Sequence, residues 1–199
     1  EGQYTVVSDP LDGSSLVDVN MAVGSIFGIY PKGSVLGRTG QDQLAAAIAV
    51  YGPRTTIVLS VGNTAKLVTP IECTLYPEGF FVTREHLTVS ASGKYFAPGN
   101  LRATAQREDY AVLMQGWMRD QYTLRYSGGM VPDVNHILLK GKGVFTYPGY
   151  PEAPQGKLRL IFECAPMAFI MEHAGGLATD GETSILQKPI QKIFKRPKS

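Results

Sequence analysis

The chain has 199 residues, of which 44% are hydrophobic and 18% are charged, with 22 Gly and 13 Pro. This composition is typical of a globular protein and excludes a collagen-like, coiled-coil or wholly disordered chain. The 19 basic and 17 acidic residues leave a net charge of +2, which is too balanced to favour nucleic acid as a partner. The longest apolar stretches, near 44–50 and 165–171, are much shorter than the ~20 residues of a transmembrane helix, so no membrane association is predicted.

The two cysteines, Cys73 and Cys164, are too few for a disulfide framework and fit a reducing compartment, such as the cytoplasm or a plastid stroma. The sequence begins with Glu1 rather than Met and leads directly into a strand-like run. We therefore expect the natural protein to be longer than this sequence, and no targeting signal can be read from it.

Hydrophobic periodicity and turn residues define the predicted elements. An Ala- and Leu-rich run with a charged first turn predicts a helix that Gly52 and Pro53 end. Irregular alternation of strands and helices predicts a layered α/β (α+β) fold, and a loop of small residues at 90–100 indicates a domain boundary between 1–90 and 91–199. In chain order, the prediction is strands at 4–7 and 21–30, a helix at 42–50, strands at 55–61, 65–71 and 79–83, helices at 108–118 and 130–140, strands at 143–147 and 158–162, and a helix at 163–174.

The first predicted strand ends in an acidic motif, Ser8–Ser15, which is dense in turn formers. Asp9 and Asp12 are three positions apart on a turn stiffened by proline, so both carboxylates can point at one spot. Hard oxygen ligands of this kind suit Mg²⁺ or Mn²⁺, and the Leu11 carbonyl can supply a further ligand.

The second half of the acidic motif can bind an anion. The backbone N–H groups of Gly13, Ser14 and Ser15, with the two hydroxyls, can cradle a phosphate. Metal ligands beside such a nest are what hydrolysis of a phosphate ester requires. A bare Asp-x-x-Asp-Gly would equally well be a surface turn, but the complete motif at the end of a strand is more specific.

The sequence resembles the sugar-bisphosphatase branch of the lithium-sensitive, metal-dependent phosphatases, a superfamily with fructose-1,6-bisphosphatase, sedoheptulose-1,7-bisphosphatase and inositol monophosphatase. The resemblance implies a fold of alternating helix and sheet layers, two or more Mg²⁺ per site, and a homo-oligomer, either a dimer or a tetramer. It also implies a metal- and phosphate-binding unit within 1–90 and a sugar-phosphate-binding unit within 91–199. The segments that carry it, in order, are 8–15, 23–30, 51–56, 125–134, 156–160, 162–169 and 174–176.

By this resemblance, Asp9, the Leu11 carbonyl, Asp12 and Glu163 are metal ligands, and the three carboxylates are the catalytic residues. Glu163 by itself would be an ordinary carboxylate at a helix start, favoured by the helix dipole. Gly13–Ser15 would bind the phosphate that leaves.

The second phosphate, which stays on the sugar, requires another cluster. Lys157, Arg159, Tyr126 and Tyr147 resemble residues that hold the sugar and its distal phosphate, and Arg125 resembles an arginine that reaches a neighbouring subunit's phosphate site. Arginine forks and tyrosine hydroxyls are well suited to phosphate oxygens. Without the resemblance, these side chains would be strand-edge charges and partly buried core.

The segment 98–104 resembles the sedoheptulose enzymes rather than the fructose enzymes. Asn100 and Arg102 would then contact the sugar and its phosphate, or else only shape the turn. The residues around Glu163 are also close to the fructose enzymes. The implied activity is hydrolysis of the 1-phosphate of sedoheptulose 1,7-bisphosphate. The alternatives are fructose-1,6-bisphosphatase, an enzyme accepting both sugars, and a non-catalytic relative that binds phosphosugars.

The resemblance also predicts features that this sequence does not contain. These are a pair of adjacent glutamates upstream of the acidic motif, an N-terminal helical region that binds a nucleotide inhibitor in the fructose enzymes, and a final strand and helix after about Ile190. We expect the natural protein to supply them, and we expect the 199-residue chain alone to be inactive.

Overall fold

The structure is a computed structural model that describes residues 2–62, 68–154 and 156–192. It has nine strands and three α-helices in these ranges, together with short 3₁₀ turns. The strands are β1 (Tyr4–Asp12), β2 (Val23–Pro31), β3 (Ala45–Tyr51), β4 (Thr55–Val61), β5 (Ile71–Tyr76), β6 (Gly79–Arg84), β7 (Tyr95–Pro98), β8 (Thr123–Leu124) and β9 (Val144–Thr146). The helices are α1 (Glu108–Arg119), α2 (Met130–Lys140) and α3 (Ala165–His173).

Strands β1 to β6 form an antiparallel sheet in sequence order. Ile26 of β2 pairs with Ile48 of β3, and Ile48 pairs in turn with Val58 of β4. All three are fully buried in the main core, which also contains Phe169 of α3 and Val131 of α2. Both helices therefore pack on the sheet, because their apolar side chains cover the central strands.

A second sheet is parallel and three-stranded, with the order β8-β7-β9. Its core joins Phe96 of β7 to Tyr110 and Met114 of α1, and Trp117 packs against them. Helix α2 also contacts β9, so it lies between the two sheets. The predicted layered α/β class is confirmed.

The predicted helix at 42–50 is wrong, because this segment forms β3. Six of the seven β3 residues are buried, between β2 on one side and β4 on the other. Alanine favours helices intrinsically, but its small side chain also fits a central strand that is covered closely. Ala46, which is fully buried, belongs to the core beneath α3. Tertiary packing has overridden helix propensity here.

The predicted strand at 158–162 is also wrong. Leu160–Cys164 forms a π-helical turn that leads directly into α3, so the predicted helix at 163–174 begins one turn earlier than expected. The predicted loop at 90–100 contains β7, and β1 continues through the acidic motif as far as Asp12.

The remaining predicted strands and helices are confirmed, except the strand at 65–71, of which 65–67 lie outside the described residues and 68–70 are not in a strand. Strand β5 begins at Ile71, the last residue of that predicted strand. The predicted domain boundary near residue 90 stays a prediction. Within the described ranges, no helix combines the length and apolar character needed to cross a bilayer.

Candidate active site

The acidic motif lies on the last part of β1, where the pairing with β2 is irregular. Asp9 pairs with Ile26 and Asp12 with Gly24, so a bulge lies between the two aspartates. A bulge redirects side chains at a strand end and is common beside functional sites. The Leu11 N–H donates to Oδ1 of Asp9 over 3.1 Å, which fixes the Asp9 carboxylate at the edge of the sheet.

Arg159 joins two carboxylates that are far apart in the sequence. Its Nη2 lies 3.1 Å from Oδ2 of Asp9, which is 150 residues away. Its Nε donates to Oε1 of Glu163 over 3.1 Å, Nη2 also donates to Oε1, and its backbone N–H donates to Oε2. Asp9 and Glu163 are buried, whereas the Arg159 side chain is 46% exposed. The π-helical turn folds Glu163 back onto Arg159 and so brings it to the acidic motif.

Asp12 is held from the opposite side by the start of α2. The Val131 N–H donates to Oδ2 of Asp12 over 2.7 Å. Gly24 allows this approach, since a Cβ atom there would lie 2.3 Å from Cγ1 of Val131 and 2.4 Å from the Ala49 carbonyl oxygen. The helix N-terminus favours a negative charge at this point.

The site concentrates negative charge in a partly desolvated region. Burial raises the pKa of the Asp12 carboxyl, and the charge of Asp9 raises it further, against the lowering effects of the Val131 N–H and of Lys157. Burial likewise raises the pKa of Glu163, against the lowering effect of Arg159. Desolvation disfavours the ionised form of a carboxyl group, and a nearby cation offsets this cost.

The anion-binding half of the motif begins with Gly13, whose φ of +76° is left-handed and suits glycine. It leads into a 3₁₀ turn, Ser14–Val19, in which Ser14 and Ser15 are exposed. These two residues therefore present their hydroxyls to solvent next to Asp12.

The predicted sugar-binding residues are brought together only in part. Burial raises the pKa of the Tyr126 hydroxyl, and Tyr147 raises it further, so these two side chains are neighbours. Lys157 is exposed and acts electrostatically on Asp12.

The other three predicted contact residues lie beside this pair in the sequence or the structure. The Asn100 side-chain amide donates to the Pro148 carbonyl over 2.8 Å, and Arg102 is exposed. Arg125 lies over the Tyr95 ring, 5.6 Å from its centroid. The structure thus shows a turn-shaping contact for Asn100.

The donor chemistry fits a hard divalent cation, because Asp9, Asp12, Glu163 and the Leu11 carbonyl all offer oxygen. Burial raises the pKa of the Asp12 and Glu163 carboxyls, so positive charge beside them would stabilise their ionised forms. In the part of the chain that the structure describes, no three acidic, His or Cys side chains are gathered closely enough to hold a metal by themselves. Arg159 provides positive charge between Asp9 and Glu163 instead.

Sequence reasoning missed two features of this site. The first is the Val131 N–H, which only the approach of α2 to β1 reveals. The second is Asp133, a buried carboxylate in the first turn of α2. A carboxylate three residues into a helix is ordinary in sequence, so only its burial marks it out.

Comparison with protein families gives two matches. Residues 1–72 match the model "Fructose-1-6-bisphosphatase, N-terminal domain" and residues 89–198 match "Fructose-1-6-bisphosphatase, C-terminal domain". The chain belongs to the fructose-1,6-bisphosphatase family. The resemblance inferred from the acidic motif and the later segments is confirmed.

The curated relatives of this chain include both sedoheptulose-1,7-bisphosphatases and class 1 fructose-1,6-bisphosphatases. It is 47% identical over 196 residues to the chloroplastic sedoheptulose-1,7-bisphosphatase of Triticum aestivum, covering 98% of this chain and 49% of that protein. It is 45% identical over 196 residues to the class 1 fructose-1,6-bisphosphatase of Geobacter sulfurreducens, covering 98% of this chain and 61% of that protein. The chain therefore spans about half to three fifths of the length of these curated relatives.

A solved structure shares the fold. The crystal structure of a provisionally named sedoheptulose-1,7 bisphosphatase from Toxoplasma gondii superposes with a TM-score of 0.92 at 36% identity, covering 98% of this chain and 64% of that one. The layered arrangement of the two sheets and their helices is thus that of the fructose-1,6-bisphosphatase family.

Proposed function

We propose that this chain forms the phosphate-releasing part of a metal-dependent sugar bisphosphatase that hydrolyses the 1-phosphate of sedoheptulose 1,7-bisphosphate. The observation that carries the proposal is the meeting of Asp9 with Glu163 through Arg159, next to the exposed Ser14 and Ser15. Family membership supports this reading, because the curated relatives are named as bisphosphatases of seven- and six-carbon sugars.

In this proposal, Gly13, Ser14 and Ser15 hold the phosphate that leaves, through backbone N–H groups and hydroxyls. Asp9, Asp12, Glu163 and the Leu11 carbonyl would hold Mg²⁺, or Mn²⁺ in its place. A bound divalent cation supplies Lewis-acid neutralisation of the phosphoryl oxygens.

In the overall reaction, a water oxygen forms a bond to phosphorus and the bond from phosphorus to the C1 oxygen breaks. The C1 oxygen takes up a proton, so that sedoheptulose 7-phosphate and inorganic phosphate leave. Asp9, Asp12 and Glu163 would act by their fixed negative charge and position. Their hydrogen bonds to Leu11, Val131 and Arg159 hold them in place before substrate arrives.

The far end of the substrate would meet the sugar-binding residues, with Lys157 as cation and Tyr126 and Tyr147 as hydroxyl donors. Arg159 would also contact the sugar or its distal phosphate, although in the structure its guanidinium forms ion pairs with Asp9 and Glu163. Arg125, exposed at the surface, would reach the phosphate site of a second copy in a dimer or tetramer. A bisphosphate is the proposed substrate because the resemblance assigns one phosphate to Gly13–Ser15 and the other to a separate set that includes Lys157, Tyr126 and Tyr147.

Fructose 1,6-bisphosphate is the second candidate substrate. The near-equal similarity to sedoheptulose and fructose enzymes favours neither sugar by itself. The segment 98–104 supports the seven-carbon sugar, as its sequence resembles that of the sedoheptulose enzymes. In the structure, Asn100 begins a 3₁₀ turn there with a left-handed φ of 53°, which places Arg102 at the surface.

Phosphate release by the full-length natural protein with Mg²⁺ tests the proposal. Sedoheptulose 1,7-bisphosphate and fructose 1,6-bisphosphate are compared by kcat/KM, with Asp12→Asn as the inactive variant and Glu78→Gln, at an exposed turn, as the matched control. We expect preference for the seven-carbon sugar and a loss of at least about a hundredfold only in Asp12→Asn. Preference for fructose would transfer the assignment to the second candidate, and no release from either would indicate a phosphosugar-binding protein.

A further inference from the structure

Asp133 is a buried carboxylate that the proposed function leaves unused. It lies in the first turn of α2 and is only 5% exposed. Its Oδ1 accepts a hydrogen bond of 2.8 Å from the Ser127 N–H, while its Oδ2 is buried without a hydrogen-bond partner in the described residues. Burial of a carboxylate is costly, so its presence here calls for a role.

Asp133 holds the loop that precedes α2, Ser127–Gly129. The loop is closed from both ends, since the Asp133 N–H donates in return to the Gly129 carbonyl over 3.3 Å. The Ser127 Oγ also accepts from the Gly129 N–H over 3.3 Å. Gly128 adopts a φ of +101°, a left-handed value that favours glycine. The conformation of this loop is therefore set by Asp133 and by the local hydrogen bonds within the loop.

The loop packs directly on the anion-binding turn of the acidic motif. A Cβ atom on Gly129 would lie 3.0 Å from Cδ1 of Leu16, and one on Gly13 would lie 3.5 Å from the Gly129 Cα. Leu16 is buried, so the contact is a packed one. The loop therefore packs against the turn that the proposed function assigns to the leaving phosphate, and this turn is the fixed surface from which the position of the loop is set.

The N-terminal end of the loop adjoins Tyr126, which the proposed function takes as a contact for the sugar. Tyr126 precedes Ser127 directly and is 43% exposed. The charge of Asp133 contributes to raising the pKa of the Tyr126 hydroxyl, after burial and Tyr147, so the carboxylate is close to this side chain. One buried group thus fixes a loop with the phosphate turn on one side and Tyr126 on the other.

We propose that Asp133 is a positioning residue that sets the distance between Tyr126 and the Gly13–Ser15 turn. This inference rests on the proposed function, since it takes Tyr126 as a sugar contact and the turn as the site of the leaving phosphate. A sugar bisphosphate must meet both groups at once, whereas inorganic phosphate needs only the turn. Small displacements of positioned groups are costly for a ligand that spans both.

Two substitutions separate position from charge. Asp133→Asn keeps an oxygen acceptor at the same place for the Ser127 N–H but removes the charge. Asp133→Glu keeps the charge but moves the acceptor outward by one methylene. Glu78→Gln, at the exposed β5–β6 turn, is the control. The measurements on the full-length protein with Mg²⁺ are kcat and KM for the better bisphosphate, the inhibition constant of inorganic phosphate, and the urea midpoint of unfolding.

We expect Asp133→Glu to raise KM by about tenfold with little change in kcat or in the inhibition constant of phosphate. Asp133→Asn should keep KM within about threefold of the wild type. A KM raised in Asn but not in Glu would show that charge matters rather than position, and would overturn the inference. Equal losses of bisphosphate and phosphate binding, or no change in either variant, would also overturn it.

The outcome for the wild-type protein separates this inference from the proposed function. A wild type that releases no phosphate from either bisphosphate refutes both. An active wild type with unchanged Asp133 variants refutes the positioning role alone. If Asp133→Glu fails to fold by the urea measurement, the Asn variant decides, because a KM raised beyond about threefold there contradicts the inference.

Discussion

Arg159 provides the clearest test of how this site balances its charges. Its guanidinium faces Asp9 and Glu163, whose side chains are 10% and 5% exposed. Charge-assisted hydrogen bonds contribute about 1.5–3 kcal/mol each, and removing one partner of a buried pair costs about 3–5 kcal/mol. Because Arg159 itself is 46% exposed, water replaces part of the interaction. We therefore expect Arg159→Ala to lower the free energy of unfolding by about 2–3 kcal/mol.

The measurement is urea unfolding of the full-length protein, first with EDTA and then with excess Mg²⁺. In the variant, two buried carboxylates have lost their cation, so Mg²⁺ should stabilise the variant more than the wild type and restore most of the loss. Arg119→Ala is the matched control, since its partner Asp120 is 55% exposed and the change should cost less than about 0.5 kcal/mol. Equal stability of Arg159→Ala and wild type in EDTA, or an equal effect of Mg²⁺ on both, would refute the reasoning.

Three further predictions concern the scaffold. Burial lowers the pKa of His173 below its ordinary 6.5, so as the pH falls the unfolded chain binds this proton before the folded protein does. The contribution of neutral His173 to the free energy of unfolding is therefore complete above pH 6.5 and is lost as the pH falls below it. His173→Asn should flatten this pH dependence in urea titrations between about pH 5 and 7.5. Arg84→Ala should destabilise by about 1–3 kcal/mol because Glu72 stays buried without its cation, and adding Glu72→Leu should recover the loss in a double-mutant cycle. Gly24→Ala should cost about 3 kcal/mol or more in thermal unfolding and reduce activity, because its Cβ would collide with Val131 and force α2 away; a variant with unchanged melting temperature would contradict this.

Much of the fold could be predicted from local pattern. The alternation in β4, the aromatic and β-branched run of β6 and the apolar stripes of α1 and α2 predicted elements close to the observed bounds. The errors came where neighbours decide the conformation. β3 is rich in helix-forming alanines, but its place between β2 and β4, beneath α3, makes it a buried strand. The run predicted as a strand at 158–162 instead enters a π-helical turn, Leu160–Cys164, in which Glu163 contacts Arg159.

The sequence alone determined which kinds of chemical group the site contains. The acidic motif supplies two aspartates, a carbonyl and an anion-binding turn within eight consecutive residues, and such short-range spacing survives in any fold that keeps the strand. The long-range partners were decided by the tertiary structure. Arg159 lies 150 residues from Asp9, and Val131 lies 119 residues from Asp12. Burial likewise decides which carboxylates need a cation, because desolvation depends on what packs around a group and not on its neighbours in the chain.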